Sequence, residues 1–219
     1  MAGILQRFEI DAYQINELQE AITLSLKYNL PAVVVPNFLV GPAVQLRGLN
    51  RGRFKIITVI DHPKGEVFGV DKFKGIIADT LEADGFEIML TVNKPLAMIK
   101  NEIVAITNFV RFHVGQKAEV RFVLNALTTG LDVVGEYAQA FNGLPTPAFI
   151  RTDPQIKLQV SKANAAIHNN IISRILQNVM LPIKLSGNIS NLKVVNECTD
   201  AVRYAVNTQQ IMAISRELS

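Results

Sequence analysis

The feature that most constrains this chain is a regular alternation between short apolar runs and longer stretches with helical spacing. The runs are rich in β-branched residues and most are almost continuously apolar, which is typical of strands buried on both faces. Eight such runs occur: Arg7–Ile10, Ala32–Val35, Lys55–Ile60, Glu87–Val92, Glu119–Leu124, Ala148–Arg151, Pro182–Leu185 and Ala201–Val206. The chain therefore divides into units of about 27 residues, each a strand followed by a helical or linking stretch.

The stretches between the runs carry apolar stripes that would lie on one face of a helix. The first stripe belongs to a helix that ends near Lys27, and its members are Ile15, Leu18, Ala21, Ile22 and Leu26. The fourth unit has a similar stripe at Ile103, Ile106, Thr107 and Val110. We interpret these stripes as faces that pack on a core. The alternation predicts an α/β fold, a single (β/α)₈ TIM barrel over residues 1–219. A doubly wound sheet is the competing fold, but it favours a glycine-rich turn after an early strand, and none is present.

Composition and charge exclude several classes of protein. Hydrophobic residues make up 49% of the 219 residues and charged residues 19%, which excludes a disordered chain. The net charge of +3 is too small to indicate a nucleic-acid partner. No apolar stretch reaches the length of a membrane span, and no signal peptide is recognisable. The single cysteine, Cys198, cannot form an intrachain disulfide. We therefore expect a cytoplasmic protein.

In a TIM barrel, functional residues lie at the carboxyl ends of the strands. The third run ends in Asp61-His62, a pair that could transfer protons as a general acid and base or supply part of a metal site. The alternative is a polar loop closed by Pro63 and Gly65. The other two histidines, His113 and His168, have no ligand spacing with His62, so we expect no metal. We also expect no cofactor.

Three cations stand in or at the end of strand-like runs. They are Arg121 in the fifth run, Arg151 at the end of the sixth and Lys184 in the seventh. A buried cation has to be paired or face a cavity. The three therefore either form a cationic pocket for a small anion or pair with carboxylates at the barrel rim. A lysine desolvated beside another cation can also lose its proton and attack a carbonyl carbon. Lys184 beside Arg151 is the best-placed candidate for that chemistry.

At these residues the sequence resembles the deoxyribose-phosphate aldolase family of class I aldolases. Phe54–Gly65 (FKIITVIDHPKG) is similar to the family's third-strand K-[IV]-x-T-V-[IV]-G-F-P-x-G. Asn29–Phe38 resembles the second-strand segment, Ala83–Asn93 the fourth and Pro182–Gly187 the seventh. The resemblance implies a Schiff-base aldolase on a TIM barrel, with a sugar phosphate as substrate.

The departures from the family pattern concern its chemistry. The family's Schiff-base lysine ends the sixth strand in F-[IV]-K-T-S-T-G, and Arg151 occupies that place here. A guanidinium stays protonated and cannot form an imine. The relay aspartate of the fourth strand aligns with Met89 when counted back from Asn93, or with Glu87 when counted forward from Ala83. The relay lysine is retained as Lys184. The family's phosphate-binding loops are also altered, and Asp153 would repel a phosphate.

These observations support two hypotheses and leave a third open. The first is an aldolase-like barrel without the usual aldolase activity, which binds a small anion such as a sugar phosphate or nucleotide, or a protein partner. The second is an active Schiff-base aldolase or lyase with Lys184 as nucleophile and Asp61 or His62 as proton shuttle. The third is a different reaction on the same scaffold, or a family other than the aldolases. A structural or assembly component is a variant of the first hypothesis, and a homo-oligomer is compatible with each. The expected ligand contacts are Thr58, Asn93, Arg121, Arg151, Thr152, Ser186, Gly187, Asn207 and Thr208.

Overall fold

Parallel strands form a closed barrel in the order in which they occur in the sequence. The computed structural model describes residues 8–62, 65–91, 94–125, 152–159 and 183–194. Its strands are β1 (Phe8–Asp11), β2 (Ala32–Pro36), β3 (Lys55–Ile60), β4 (Gly85–Met89), β5 (Glu119–Asn125), β6 (Thr152–Gln159) and β7 (Ile183–Gly187). This arrangement confirms the predicted α/β fold of the TIM-barrel type.

The barrel closes between β7 and β1. Phe8 pairs with Leu185 and Ile10 with Gly187, while the other edge of β1 pairs with β2. Both edges of β1 are thus occupied, and the described strands close as a ring of seven. The predicted eighth run, Ala201–Val206, lies outside the described residues.

The helices lie between the strands, as the alternation predicts. They are α1 (Ile15–Tyr28), α2 (Val40–Arg47), α3 (Ile77–Thr80), α4 (Leu96–His113) and α5 (Ile189–Val194), with short 3₁₀ turns at Asn37–Leu39, Gly48–Asn50 and Gly69–Phe73. In α4 every member of the predicted stripe is buried. In α1 Leu18, Ala21 and Ile22 are buried, but Ile15 is 61% exposed, so the stripe begins one turn later than predicted. Within the described residues, no helix combines the length and apolar character needed to cross a bilayer.

Along each strand, successive side chains point alternately into two different hydrophobic clusters. An outer cluster between the sheet and α4 includes Phe86, Ile88 and Phe122. An inner cluster within the barrel consists of Ala32, Val34, Ile57 and Val59, with Tyr13 packed against it. Because register partners in parallel strands share a face, the ladder assigns other residues to one core or the other. Thr58 pairs with Phe86 and faces the helices, whereas Glu87 pairs with Val59 and faces the barrel interior.

Two strands, β4 and β6, begin two or more residues from the predicted position, whereas β1 and β7 begin within one residue of it. β4 begins at Gly85 rather than at Glu87. A glycine fits at this position because β5 is close: a Cβ on Gly85 would stand 2.8 Å from the Cβ of Glu119. The sixth strand is Thr152–Gln159, whereas the apolar pattern placed it at Ala148–Arg151. The segment TDPQIKLQ contains a proline and several polar residues, a composition that disfavours a central strand. Pairing with β5 over six residues, Val120–Asn125, outweighs that preference.

Candidate functional site

Tyr13 and His62 meet at the carboxyl end of the barrel. Tyr13 follows β1 and His62 follows β3. The Tyr13 hydroxyl lies 3.4 Å from Nε2 of His62, and the two rings stack with centroids 5.2 Å apart. Tyr13 also packs on the inner cluster, so the pair lies over the barrel interior. A half-buried phenol and imidazole in this contact can accept and donate protons at the end where barrel enzymes carry their chemistry.

Asp61, the other member of the predicted pair, is held in a buried polar cluster. The Nζ of Lys72 lies 2.7 Å from Oδ2 of Asp61 and 3.4 Å from Oε1 of Glu102. Thr91 links the same groups, because it accepts a hydrogen bond from Lys72 and donates one to Glu102. The side chains of Lys72 and Glu102 have no exposed surface. This polar cluster of Asp61, Lys72, Thr91 and Glu102 therefore ties the loop after β3 to β4 and to α4.

The backbone of the loop after β3 explains the presence of Asp61 and Gly65. Asp61 has a φ of 56°, in the left-handed region, and its carbonyl accepts a 2.9 Å hydrogen bond from the N–H of Gly65. Its carboxylate accepts a 2.8 Å hydrogen bond from the N–H of Val67. Gly65 has a φ of +67°, and a Cβ there would stand 2.1 Å from the carbonyl oxygen of Leu90. Asp61 therefore holds the loop through its own hydrogen bonds, and His62 is the remaining candidate of the pair for proton transfer.

Arg121 occupies the centre of an ion-pair network inside the barrel. Its Nη1 lies 2.9 Å from both carboxylate oxygens of Glu9, and its Nε donates to Glu119. Glu119 also accepts a 2.6 Å hydrogen bond from Lys55 at the amino end of β3. Glu9 is fully buried and Arg121 is 4% exposed. This network of Lys55, Glu119, Arg121 and Glu9 runs from the amino rim into the barrel.

The ion-pair network shifts the pKa of Glu119 and of Arg121 strongly. Burial alone would raise the pKa of Glu119, but its hydrogen bonds and charge interactions with Arg121 and Lys55 outweigh burial and lower that pKa to about 2. Burial would lower the pKa of Arg121, but the charge of Glu9 and the hydrogen bond to Glu119 raise it above its usual value. Both groups remain ionised at neutral pH, and the charge of Arg121 is compensated within the network.

Several predicted ligand contacts therefore have other surroundings in the structure. Arg121 pairs with carboxylates, as the alternative interpretation of the cations proposed, and is not an unpaired cation in a pocket. Thr58 faces the helices, and its buried hydroxyl has no hydrogen-bond partner among the described residues. Met89 is the last residue of β4 and is buried. Thr152 is the first residue of β6, at the amino end of the barrel rather than at the carboxyl end.

The backbone register of β6 and β7 brings two lysines to neighbouring positions. Lys157 pairs with Lys184, and Gln159 pairs with Ser186. Ser186 in turn pairs with Glu9, and Gly187 pairs with Ile10. The neighbour of Lys184 on the sixth strand is therefore Lys157, not Arg151 as the sequence suggested. Arg151, Asn93, Asn207 and Thr208 lie outside the described residues.

Sequence reasoning missed Tyr13, Glu9, Lys72, Glu102 and Lys157. Glu9 gave a usable signal, since it is a charge within an apolar strand run. Lys157 lies in a segment that was not predicted to be a strand. Tyr13, Lys72 and Glu102 occupy a loop, a 3₁₀ turn and a helix, and nothing in their spacing shows that they meet residues of the barrel.

Comparisons with known proteins support the fold. No family model matches the chain, and no curated protein matches it by sequence. Among solved structures, it is similar to the tetrameric deoxyribose phosphate aldolase from Aeropyrum pernix, with a TM-score of 0.63 and 12% identity over 100% of this chain and 93% of that one. It is also similar to QR15, an aldolase, with a TM-score of 0.57 and 14% identity over 100% of both chains. The chain thus has the α/β barrel scaffold that these aldolases use.

Proposed function

We propose that the protein is a Schiff-base-forming aldolase or lyase that acts on a small carbonyl compound, with Lys184 as the nucleophile. The observation that carries this proposal is the register pairing of Lys157 with Lys184 on adjacent strands. The aldolase scaffold of the similar structures supports the same reaction class.

The proposal requires that Lys157 and Lys184, at paired positions on adjacent strands, influence each other's protonation. Neighbouring strands lie about 4.8 Å apart, so two ammonium groups at paired positions would repel each other. That repulsion favours loss of one proton, which leaves an amine able to attack a carbonyl carbon. The sequence assigned the role of neighbouring cation to Arg151, and Lys157 takes it over in the proposal.

His62 is proposed as the proton shuttle of this reaction. Imine formation and carbon–carbon cleavage both need proton transfer, and an imidazole titrates near neutral pH. The contact with Tyr13 orients the ring of His62. Asp61 is the weaker candidate, because its carboxylate binds Lys72 and the N–H of Val67.

The proposed substrate is a small anionic carbonyl compound such as a sugar phosphate. The similar structure from Aeropyrum pernix is a deoxyribose phosphate aldolase, so deoxyribose 5-phosphate is the first compound to test. With Arg121 neutralised by Glu9 and Glu119, the anion would be held by other groups. Arg151, Asn93, Ser186, Gly187, Asn207 and Thr208 remain proposed contacts.

A second candidate function is a non-catalytic barrel that binds a small anion or a protein partner. Met89 favours it, because a buried apolar side chain ends β4 where the resemblance implies a relay carboxylate. Glu87, the other residue aligned with that carboxylate, faces the barrel interior at the position paired with Arg121.

Trapping the imine separates the two candidates. The full-length protein is mixed with deoxyribose 5-phosphate or simple aldehydes and reduced with borohydride, and its intact mass is measured. We expect one stoichiometric adduct that maps to Lys184 and is lost in Lys184→Ala. Lys74→Ala is the matched control, since Lys74 is exposed and lies beyond the 3₁₀ turn Gly69–Phe73.

Each result of the trapping experiment decides one point. An adduct on Lys157 would keep the reaction class and reverse the roles of the two lysines. No adduct, while a known deoxyribose-phosphate aldolase is labelled under the same conditions, would refute the lyase and favour the binding protein.

A further inference from the structure

A concave site lies at the amino end of the barrel, opposite the Tyr13–His62 pair. It is a cavity of about 570 Å³, within the usual range for small-molecule sites. Its walls come from the segments that precede or begin β2, β3, β4 and β5, and they include Pro31, Lys55, Asp84 and Ala118. In barrel enzymes this end ordinarily serves stability, so a cavity here calls for a separate explanation.

The charged side chains of this cavity are predominantly basic. Arg51, Arg53, Lys55 and Lys117 line it, against the two acidic residues Glu82 and Asp84. Asp84 is neutralised by the buried Arg47 and accepts a 2.8 Å hydrogen bond from the N–H of Ile56. Of the two acidic residues in the lining, Glu82 is therefore the one whose charge no cation neutralises among the described residues. We call this site the basic cavity.

Two arginines of the basic cavity lie on a tight turn before β3. The backbones of Arg51 and Phe54 form an isolated β-bridge. The backbone N–H of Arg53 donates a 3.1 Å hydrogen bond to the carbonyl of Asn50. Gly52 between them has a φ of +100°, which an L side chain rarely adopts. The turn holds both arginines in exposed positions, and within the described residues their side chains have no hydrogen-bond or ion-pair partner.

The other two cations of the basic cavity, Lys117 and Lys55, differ in whether they form an ion pair. Lys117, before β5, is also exposed and also has no such partner among the described residues. Lys55 is already bound to Glu119. Three cations around one cavity that do not meet a protein carboxylate are suited to receive an anion from solution.

The basic cavity also has an apolar wall. Phe54, Leu81, Val114 and Ala118 contribute to it, and Leu81 is 51% exposed. An inorganic ion would leave this surface in contact with water. A ligand with both an anionic and an apolar part would use both kinds of wall.

We propose that the basic cavity binds a phosphorylated small molecule that carries an apolar or aromatic group, such as a nucleoside polyphosphate. The planar guanidinium groups of Arg51 and Arg53 can each donate two hydrogen bonds to phosphate oxygens, and Lys117 adds a third positive charge. The aromatic part would rest on the wall formed by Leu81 and Val114. This proposal does not depend on imine chemistry at Lys184, because the cavity lies at the opposite end of the barrel.

Calorimetric titration of the full-length protein with metal-free ATP tests the proposal, with inorganic tripolyphosphate as the second probe. We expect saturable binding of both, and tighter binding of ATP because it also covers the apolar wall. The variant Arg51→Ala/Arg53→Ala should bind ATP about tenfold more weakly or worse, since charge-assisted hydrogen bonds are lost. Lys27→Ala/Lys74→Ala is the matched control, because it removes the same charge from exposed sites outside the cavity.

The results separate this proposal from its competitors. Equal weakening in the two double variants would mean non-specific attraction and overturn it, as would absence of ATP binding at millimolar concentration. Tighter binding of a short single-stranded oligonucleotide than of ATP would also overturn it, because the ligand would then be a polymer. In Lys184→Ala, ATP should bind as in the unaltered protein, whatever the outcome of imine trapping.

Discussion

The two ends of the barrel use charged side chains in different ways. At the carboxyl end the cation Lys72 is buried between Asp61 and Glu102, and the contact of Tyr13 with His62 lies over the interior. At the amino end, exposed cations surround a cavity, and a chain of ion pairs leads inward from Lys55. The comparison teaches that a cation's partners, rather than its presence in a strand or loop, decide whether it can meet a ligand.

The largest expected effect lies in the ion-pair network. Arg121→Met would leave Glu9 and Glu119 without their shared cation, and Glu9 is fully buried. Breaking a buried pair from one side costs several kcal/mol, so the free energy of unfolding should fall by about 5 kcal/mol. Denaturation in urea measures this loss.

Two further variants make that result interpretable. Lys55→Met should cost no more than about 1 kcal/mol, because the Lys55 side chain is 55% exposed. If Arg121→Met does not fold, Arg121→Met/Glu9→Gln should fold better, since it removes the unpaired buried charge. An Arg121→Met protein as stable as the unaltered one would mean that the network contributes no net stability.

Acid should weaken the same network through Glu119. Its pKa falls from a usual 4.5 to about 2 in the folded protein. A lowered pKa stabilises the fold above the pKa of the unfolded chain, and this contribution disappears as the pH falls towards 2. The difference corresponds to roughly 3 kcal/mol. Glu119→Gln should therefore be less stable at neutral pH and equally stable near pH 2, as followed by urea denaturation at each pH. A constant difference would contradict the assignment.

At the carboxyl end, Lys72→Met should lower the free energy of unfolding by about 3 kcal/mol. The loss is smaller than for Arg121 because the carboxylates left behind keep other partners: Asp61 retains the N–H of Val67, and Glu102 retains Thr91 and the N–H of Gly69. Lys74→Met, at a neighbouring exposed position, should change little. If the two variants denature alike, the buried cluster does not hold the loop.

Substitution of His62 should give the smallest change in stability. It should nevertheless change the rate of imine formation strongly. His62→Gln should slow borohydride-trapped imine formation about 100-fold, the usual contribution of general acid–base catalysis. The free energy of unfolding should change by less than about 0.5 kcal/mol. Tyr13→Phe should slow imine formation less than His62→Gln does, since this variant removes only the 3.4 Å contact between the Tyr13 hydroxyl and His62. Unchanged trapping rates in both variants would remove the pair from the proposed mechanism.

Local patterns were sufficient for most of the barrel. The β3 prediction agrees with the structure at both ends, and the stripe of α4 is buried as expected. Such elements are predictable because their apolar residues recur with the period of the structure that buries them. β6 could not be predicted in this way, because its polar residues and Pro154 disguise a strand that pairing with β5 stabilises.

The candidate site was less predictable than the fold. Asp61-His62 was located correctly at the end of β3, but the sequence did not show that Lys72 binds Asp61 or that Tyr13 meets His62. Arg121 was recognised as a cation that needs a partner. That partner, Glu9, is 112 residues away in the sequence, and only closure of the barrel brings the two together.

The sequence by itself determined the alternation of strands and helices, the barrel class and the end at which the Asp61-His62 loop lies, because each depends on local periodicity and on the direction of parallel strands. The tertiary structure alone decided which charges are paired, that Lys157 and not Arg151 is the strand neighbour of Lys184, and that a basic cavity lies at the amino end. Those properties depend on the register between strands and on contacts across the barrel, which join residues far apart in the chain.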